Sequence, residues 1–152
     1  MATITVLRAG PQTTIQDWPG RIGYWKVGVP PSGPMDDLSF RLVNKAVGNS
    51  DTAAGLEATM MGPALRFDAP AVIAVGGAPA PVTVSGRPVA PWAPVEVAAG
   101  EVLDVGAAAD LGMRVYIAVS GGIEAEDYLG SRSTFTMGRF GGKDGRKLAD
   151  GE

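Results

Sequence analysis

The sequence contains no cysteine and no histidine among its 152 residues. Without cysteine it can form no disulfide and no thiolate nucleophile, and without histidine it lacks the commonest metal ligand and the commonest general base. Catalytic triads built on histidine are therefore excluded within the chain, and a zinc site would have to consist of carboxylates alone. We expect no metal site. Any chemistry must use carboxylates, lysine, arginine, hydroxyls, backbone amides or a borrowed cofactor.

Positive charge and long hydrophobic runs are also scarce. The net charge of −3 comes without any basic cluster, so a nucleic-acid partner is not expected. The longest apolar stretch, Ala69–Val84, is interrupted by prolines and glycines and is too short to cross a bilayer, so no membrane partner is expected either. Residues Met1–Ala9 lack the basic region, apolar segment and cleavage site of a secretion signal, which predicts a cytoplasmic location.

Glycine and proline are abundant, with 22 and 12 copies scattered among apolar residues. Such frequent turns between short runs rich in Val, Ile and Thr are typical of a β-barrel or sandwich, and the length fits one domain. The fold class is therefore predicted to be mainly β. Period-two alternation and short apolar runs predict roughly eight strands between Thr3 and Val119. They include Gln12–Gln16, Ala64–Phe67, Val82–Val84, Val95–Val97 and Val102–Val105.

A single principal helix is predicted from Asp36 or Asp37 to Gly48. Either aspartate can cap the first turn, and Gly48 followed by Asn49 can end the last one. The predicted buried face consists of Leu38, Leu42, Val43, Ala46 and Val47.

The loop before this helix reads VGVPPSGPMDD and places Ser32 and Gly33 between prolines. Backbone amides and the helix dipole make such a place suitable for a carboxylate or an oxyanion, with Asp36 close by. An ordinary N-capped helix after a rigid turn explains the same pattern. Both interpretations stay open.

A second group of polar residues precedes this loop. Gln16, Asp17 and Arg21 supply an amide, an acid and a guanidinium that could bind a planar urea-like group, although Arg21 could equally pair with Asp17. Further along, Glu57 alternates with Leu56 in a predicted strand, so its side chain points either into a barrel lumen or into solvent.

A third polar stretch lies near the end of the chain. Ser120–Gly122 is followed by the run Ser131, Arg132, Ser133 and Thr134, which offers amides, hydroxyls and one cation. The P-loop pattern is absent, so this stretch is not a nucleotide cradle. A polar turn is the simpler alternative to a binding loop.

Four segments, taken together, carry a family resemblance: TTIQDWPGRIGYWKVGVPPSGPMDDLSFRLVNKAVGN, AAGLEATMMGPALRF, YIAVSGGI and YLGSRSTFTMGRFGGKDGR. They resemble the carboxyltransferase domain of urea carboxylase (urea amidolyase), within the wider family that includes allophanate hydrolase subunit 2, KipA and a 5-oxoprolinase subunit. The extended form QDWPGR…GYWKVGVPPSGPMD favours the urea carboxylase branch. The resemblance runs from about Gly10 to Arg146 and covers roughly the first half of the family's domain.

The resemblance implies a cyclophilin-like β-barrel with one principal helix, forming the N-terminal half of a carboxyltransferase domain over residues 1–152. It implies carboxyl transfer from carboxybiotin to a urea or guanidine nitrogen, with biotin on a separate carrier domain and ATP used by a separate biotin carboxylase. The expected partners are the second half of the domain, the biotin carboxyl carrier and the biotin carboxylase. Half a domain is also expected to expose an apolar surface or to form a homo-oligomer.

The site residues implied by the resemblance remain without individual roles, and no catalytic residue is assigned. The residues expected to bind substrate are Gln16, Asp17, Arg21, Ser32, Gly33, Asp36, Glu57, Ser131, Arg132, Ser133 and Thr134. Asp17 and Arg21 are expected in a preformed loop beside the Pro30–Pro34 turn. The alternative functions are an ATP-dependent 5-oxoprolinase subunit without biotin, a KipA-like regulator that binds a protein, and a purely structural barrel.

Overall fold

The computed structural model describes residues 2–152, which form ten β-strands, one α-helix and a single turn of 3₁₀ helix at Trp25–Val27. The strands are β1 (Ile4–Arg8), β2 (Gln12–Gln16), β3 (Gly55–Thr59), β4 (Ala64–Phe67), β5 (Ala71–Gly77), β6 (Val82–Val84), β7 (Arg87–Pro88), β8 (Val95–Val97), β9 (Val102–Val105) and β10 (Arg114–Val119). Helix α1 spans Asp37–Ala46. No helix in the described part of the chain is both long and apolar enough to span a bilayer.

The strands form two antiparallel sheets of five strands each. Sheet A has the order β1-β4-β9-β6-β7, and sheet B has the order β2-β3-β10-β5-β8. In sheet B the register sets Glu57 of β3 opposite Thr14 of β2 and Tyr116 of β10. Because side chains alternate between the faces of a strand, these residues share one face of sheet B.

The two sheets pack face to face around the main core, which includes fully buried Leu65, Ile73, Leu103 and Ile117. Helix α1 covers the opposite face of sheet B and forms a second, smaller core there. In this second core Phe40 packs edge to face on Tyr116, with ring centroids 5.9 Å apart. The molecule is therefore layered as sheet A, sheet B and helix, and the outer face of sheet B supports α1 and the loop before it.

The C-terminal segment, residues 143–152, covers one edge of each sheet. The Leu148 amide donates to the Thr13 carbonyl on the edge of sheet B, while the Gly151 amide donates to the Val6 carbonyl on the edge of sheet A. The Leu148 side chain is buried in the core between them. This segment joins the two sheets along one side of the sandwich.

The mainly β class with one principal helix is confirmed, and strands β2, β4, β6, β8 and β9 have the predicted bounds. The described strands form two separate sheets with a bridging segment rather than one sheet closed on itself. The prediction missed β7, whose two residues include Pro88.

The predicted buried face of the helix is wrong in part. Leu38 and Leu42 are 61% and 46% exposed, whereas Phe40, Val43 and Asn44 are buried. The face of the helix that contains Phe40 packs against sheet B and places Phe40 on the Tyr116 ring. The outward leucines add to an exposed apolar surface, which the sequence analysis expected and which also includes Trp25, Val27 and Met35.

Candidate functional site

The turn before helix α1 is fixed by three strands of sheet B. The Gly33 amide donates to Gln16 Oε1 of β2 at 3.0 Å, the Met35 amide to Glu57 Oε2 of β3 at 2.7 Å, and the Asp36 amide to the Tyr116 hydroxyl of β10 at 2.8 Å. Residue 34 is proline and has no amide hydrogen, so every N–H from Gly33 to Asp36 has an acceptor on the sheet. The turn is held in one conformation by neighbouring strands.

Glu57 and Tyr116 form a linked pair beneath this turn. The Tyr116 hydroxyl donates to Glu57 Oε2 at 3.0 Å, and Arg114 Nε lies 3.7 Å from Glu57 Oε1 as a longer ion pair. Burial, followed by the negative charge of Glu57, raises the pKa of the Tyr116 hydroxyl well above its ordinary value. Tyr116 therefore stays protonated and can keep donating to the carboxylate.

Asp36 is the N-cap of α1. Its carboxylate accepts from the Ser39 amide at 3.0 Å and from the Ser39 hydroxyl at 2.5 Å. These bonds, first from the hydroxyl and then from the amide, lower the pKa of Asp36. The N-capped-helix interpretation is confirmed. The Ser39 amide already donates to Asp36, the Met35 amide to Glu57 and the Asp36 amide to Tyr116, so an anion that used these three amides would have to displace an acceptor.

The Asp17 carboxylate organises the segment 131–133. Its Oδ1 accepts from the hydroxyls of Ser131 and Ser133, each at 2.6 Å, and its Oδ2 accepts from the Arg132 amide at 2.8 Å. The Ser133 hydroxyl oxygen also accepts from the Asp17 amide. Asp17 is thus bonded to three successive residues that lie more than 110 positions away.

Arg21 organises the same segment from the other side. Its guanidinium donates to the carbonyl oxygens of Tyr128, Ser131 and Ser133, and it lies 4.8 Å from the centre of the Phe140 ring. The side chain is 1% exposed, and its Nη1 has no partner among residues 2–152. Burial lowers the pKa of the guanidinium, while the charge of Asp17 acts in the opposite direction, and arginine stays protonated nevertheless.

Asp17 and Arg21 form no direct ion pair in the described part of the chain. Both residues are expected from the sequence to bind a urea-like group. Direct contact between the Arg21 guanidinium and such a group would require its hydrogen bonds to the carbonyls of Tyr128, Ser131 and Ser133 to break.

The two polar clusters meet, so that segments 16–21, 31–36 and 131–134 form one continuous surface, which we call the wall. The Arg21 amide donates to the Pro31 carbonyl at 2.6 Å, and a side chain added at Gly33 would lie 3.4 Å from the Asp17 carbonyl oxygen. Gly20 is so close to the Pro31 carbonyl that a methyl group there would approach it to 2.5 Å. The loop holding Asp17 and Arg21 therefore lies against the Pro30–Pro34 turn.

Most polar groups of the wall are used inside it. Thr134 donates through its hydroxyl to the Ile15 carbonyl, and the hydroxyls of Ser131 and Ser133 bind Asp17. Arg132 differs from its neighbours, because its side chain is exposed and makes no hydrogen bond or ion pair with residues 2–152. Ser32, at a φ of 56°, is half-buried in the turn before α1.

Sequence reasoning missed Tyr116 and the aromatic residues beside Arg21. Tyr116 begins the segment YIAVSGGI of the family resemblance but was given no role, and only its register opposite Glu57 indicates one. Tyr128 and Phe140, whose ring centroids are 4.9 Å apart, lie beside the Arg21 guanidinium. Gly142 was also missed. A methyl group there would lie 1.9 Å from Thr134 Oγ1, so only glycine fits against the wall.

A broad cleft of about 830 Å³ lies elsewhere, lined by residues that include Thr3, Phe67, Val72, Glu96 and Ser120. It shares no residue with the wall. Between residues 2 and 152, no three acidic side chains are grouped so that they could hold a metal ion.

Comparison of the sequence with known proteins identifies a matching family and several relatives. The family described as carboxyltransferase domain, subdomain A and B, matches residues 27–152. The chain is 46% identical over 147 residues to the urea amidolyase of Lachancea kluyveri, covering 97% of this chain and 8% of that protein. It is 34% identical to a 5-oxoprolinase subunit of Escherichia coli, covering 98% of this chain and 47% of that protein.

A solved structure gives the same result in three dimensions. The crystal structure of the K. lactis urea amidolyase superposes with a TM-score of 0.96 at 48% identity, over 98% of this chain and 9% of that one. The chain thus spans under a tenth of these urea amidolyases and about half of the 5-oxoprolinase subunit. The chain belongs to the carboxyltransferase domain family, subdomain A and B, in which it is similar to urea amidolyases and to a 5-oxoprolinase subunit.

Proposed function

We propose that the chain is the N-terminal half of a biotin-dependent carboxyltransferase domain that moves a carboxyl group from carboxybiotin to a urea or guanidine nitrogen. One observation carries the proposal. Segments 16–21, 31–36 and 131–134, which contain the motifs of the family resemblance, converge into one wall although they are far apart in sequence. The 46% identity to a urea amidolyase over nearly the whole chain supports the same branch.

The groups left free on the wall suit a planar substrate with several N–H groups. The carbonyl oxygens of Ser32 and Gly33 accept no hydrogen bond from residues 2–152, so they can accept from a urea or guanidine nitrogen. The exposed Arg132 guanidinium can donate to a carboxylate oxygen, and the Ser32 hydroxyl can donate to a carbonyl oxygen. Of the residues expected from the sequence to bind substrate, Ser32, Gly33 and Arg132 are proposed to contact it, and the others are proposed to hold the wall in shape.

The residues also fit the proposed cofactor. When bound, biotin on its separate carrier supplies the carboxyl group and a ureido nitrogen able to take up a proton, so the protein needs no histidine for that step. The wall binds and orients the substrate. Its shape is set before binding, because the Gly33, Met35 and Asp36 amides are already bonded to the sheet.

The proposed partners are the second half of the domain, the biotin carboxyl carrier and an ATP-using biotin carboxylase. The exposed apolar side chains of Trp25, Val27 and Met35, each more than 70% exposed, give such a partner a surface to cover. The wall is one side of a site, and the second half of the domain is expected to supply another side. We therefore expect the isolated chain to be inactive.

The test measures ATP turnover by the complete biotin-containing enzyme in the presence of bicarbonate, with urea, guanidine or 5-oxoproline added separately. Urea or guanidine should stimulate turnover, and avidin should abolish the stimulation by sequestering biotin. Carboxylated product should appear in proportion to the ATP used. Absence of stimulation by either compound would contradict the proposal.

The 34% identity to a 5-oxoprolinase subunit favours one alternative that the same assay separates. Stimulation by 5-oxoproline that is insensitive to avidin would assign the chain to that branch. Turnover that responds to none of the three compounds would favour a KipA-like role in binding another protein.

A further inference from the structure

Asp17 and Arg21 both act on the backbone around Arg132. The Asp17 carboxylate holds the Arg132 amide and the hydroxyls of both neighbouring serines. The Arg21 guanidinium holds the carbonyl oxygens of Tyr128, Ser131 and Ser133. Charged hydrogen bonds are stronger than neutral ones, so two charged side chains fix this short segment from opposite sides.

Burying the Arg21 guanidinium is costly, and its hydrogen bonds to three carbonyl oxygens and its contact with the Phe140 ring offset part of that cost. The guanidinium is 1% exposed and has carbonyl and aromatic neighbours instead of a carboxylate partner in hydrogen-bond contact. Within Ser131–Ser133, only the side chain of Arg132 is exposed. Its carbonyl is bonded too, since it accepts from the Gly142 amide at 2.8 Å. The backbone of Arg132 is therefore immobilised on both sides while its guanidinium is free.

We propose that Arg132 binds the carboxylate of an N-carboxylated ureido group, and that Asp17 and Arg21 are positioning residues that act through Arg132. A guanidinium is planar and matches a planar carboxylate with two parallel hydrogen bonds. The Ser32–Gly33 turn lies against the Asp17 backbone, and the Asp17 carboxylate accepts from the Arg132 amide, so the turn and Arg132 belong to the same wall. This inference rests on the proposed function and names the charged part of its ligand.

The ligand chemistry has two sources, since both the carboxyl donor and a carboxylated urea product contain a carboxylate on a ureido nitrogen. Allophanate, the carboxylated form of urea, represents the product. The complete enzyme loaded with carboxybiotin represents the donor. Binding of allophanate is measured by calorimetry, which needs no turnover, and donor use is measured as urea-dependent ATP turnover.

The expected result is that Arg132→Ala raises the Kd for allophanate at least tenfold in the complete enzyme and leaves the Kd for urea within about twofold. Arg132→Lys should restore part of the affinity. The matched control is Arg66→Ala, which removes an exposed arginine on sheet A and should change neither constant. A loss in turnover without a loss in allophanate affinity would assign Arg132 to the donor alone.

The positioning roles are tested by a double-mutant cycle. Asp17→Asn and Arg21→Lys should each weaken allophanate binding when Arg132 is present and should add no further loss in an R132A background. Equal losses in both backgrounds would overturn the positioning roles. The binding role is overturned if R132A matches the unmodified enzyme both in allophanate affinity and in urea-dependent ATP turnover. The allophanate measurement does not depend on whether urea stimulates ATP turnover, which tests the proposed function itself.

Discussion

Replacing Tyr116 by phenylalanine tests how much the hydrogen bonds of its hydroxyl to Asp36 and Glu57 stabilise the start of α1. The change removes one hydroxyl that accepts from the Asp36 amide and donates to Glu57, and it leaves the ring packed on Phe40. The Asp36 amide then loses its acceptor at a partly buried position. Such a loss costs about 1.5 kcal/mol of unfolding free energy. For a chain of this length the melting temperature should fall by about 3 to 6 °C.

The same hydroxyl predicts a dependence on pH. Its pKa is raised in the folded state by burial and by Glu57, so its contribution to stability is complete below the ordinary tyrosine pKa of 10.0 and declines above it. Tyr116 ionises near pH 10 in the unfolded chain and stays protonated in the folded one. By pH 11 this difference removes about 1.4 kcal/mol, so the advantage of the unmodified protein over Tyr116→Phe should nearly vanish.

The assay is thermal unfolding followed by circular dichroism and calorimetry at pH 8 and at pH 11. Urea and guanidinium are avoided as denaturants because both resemble the proposed substrates. Tyr24→Phe is the matched control, since the Tyr24 hydroxyl makes no hydrogen bond with residues 2–152. The reasoning is refuted if Tyr116→Phe melts within 1 °C of the unmodified protein, or if the difference between them is the same at both pH values.

Two further changes test the wall and the helix cap by thermal unfolding. Gly142→Ala should lower the unfolding free energy by at least about 2 kcal/mol, because its φ of 56° is strained for alanine and the new methyl group collides with Thr134. The control Gly86→Ala, which has open space around it, should lower the unfolding free energy by about half as much. Equal losses in the two variants would contradict the collision. Asp36→Ala should cost about 1 kcal/mol through the lost cap to Ser39. That cost should be present at neutral pH and be lost as the pH falls through the lowered pKa of Asp36, and a cost unchanged at acidic pH would argue against the carboxylate as the cap.

Most strands were predictable because they are short apolar or alternating runs between turn residues, and five of them have the expected bounds, whereas the two-residue β7 carries no such pattern. The helix was predictable from its cap and period. Its buried face was not, since the sequence contains two overlapping apolar stripes. Packing against sheet B decides which stripe is buried: the stripe with Phe40 is buried, and the stripe with Leu38 and Leu42 is exposed.

The residues of the wall were predictable as polar motifs, but their arrangement was not. Nothing in the local sequence shows that segment 131–134 lies beside Asp17, because their proximity follows from pairing along the edge of β2, where the Thr134 amide donates to the Ile15 carbonyl. The same is true of Arg21. The local sequence does not determine whether the guanidinium of a loop arginine is exposed to solvent or hydrogen-bonded to buried carbonyls, because those carbonyls come from a distant part of the chain.

The bridging segment of residues 143–152 is synthesised after all ten strands, so the strand edges that it covers can be completed only late in folding. The Val6 amide donates to the Glu152 carbonyl, so β1 obtains this partner only after nearly all of the described chain has left the ribosome. Contacts between such distant positions make folding slow, because the loop between them must close first. Until that closure, the edges of β1 and β2 stay open to other strands. A nascent chain of this protein is therefore expected to depend on chaperone binding for longer than a protein built from local hairpins.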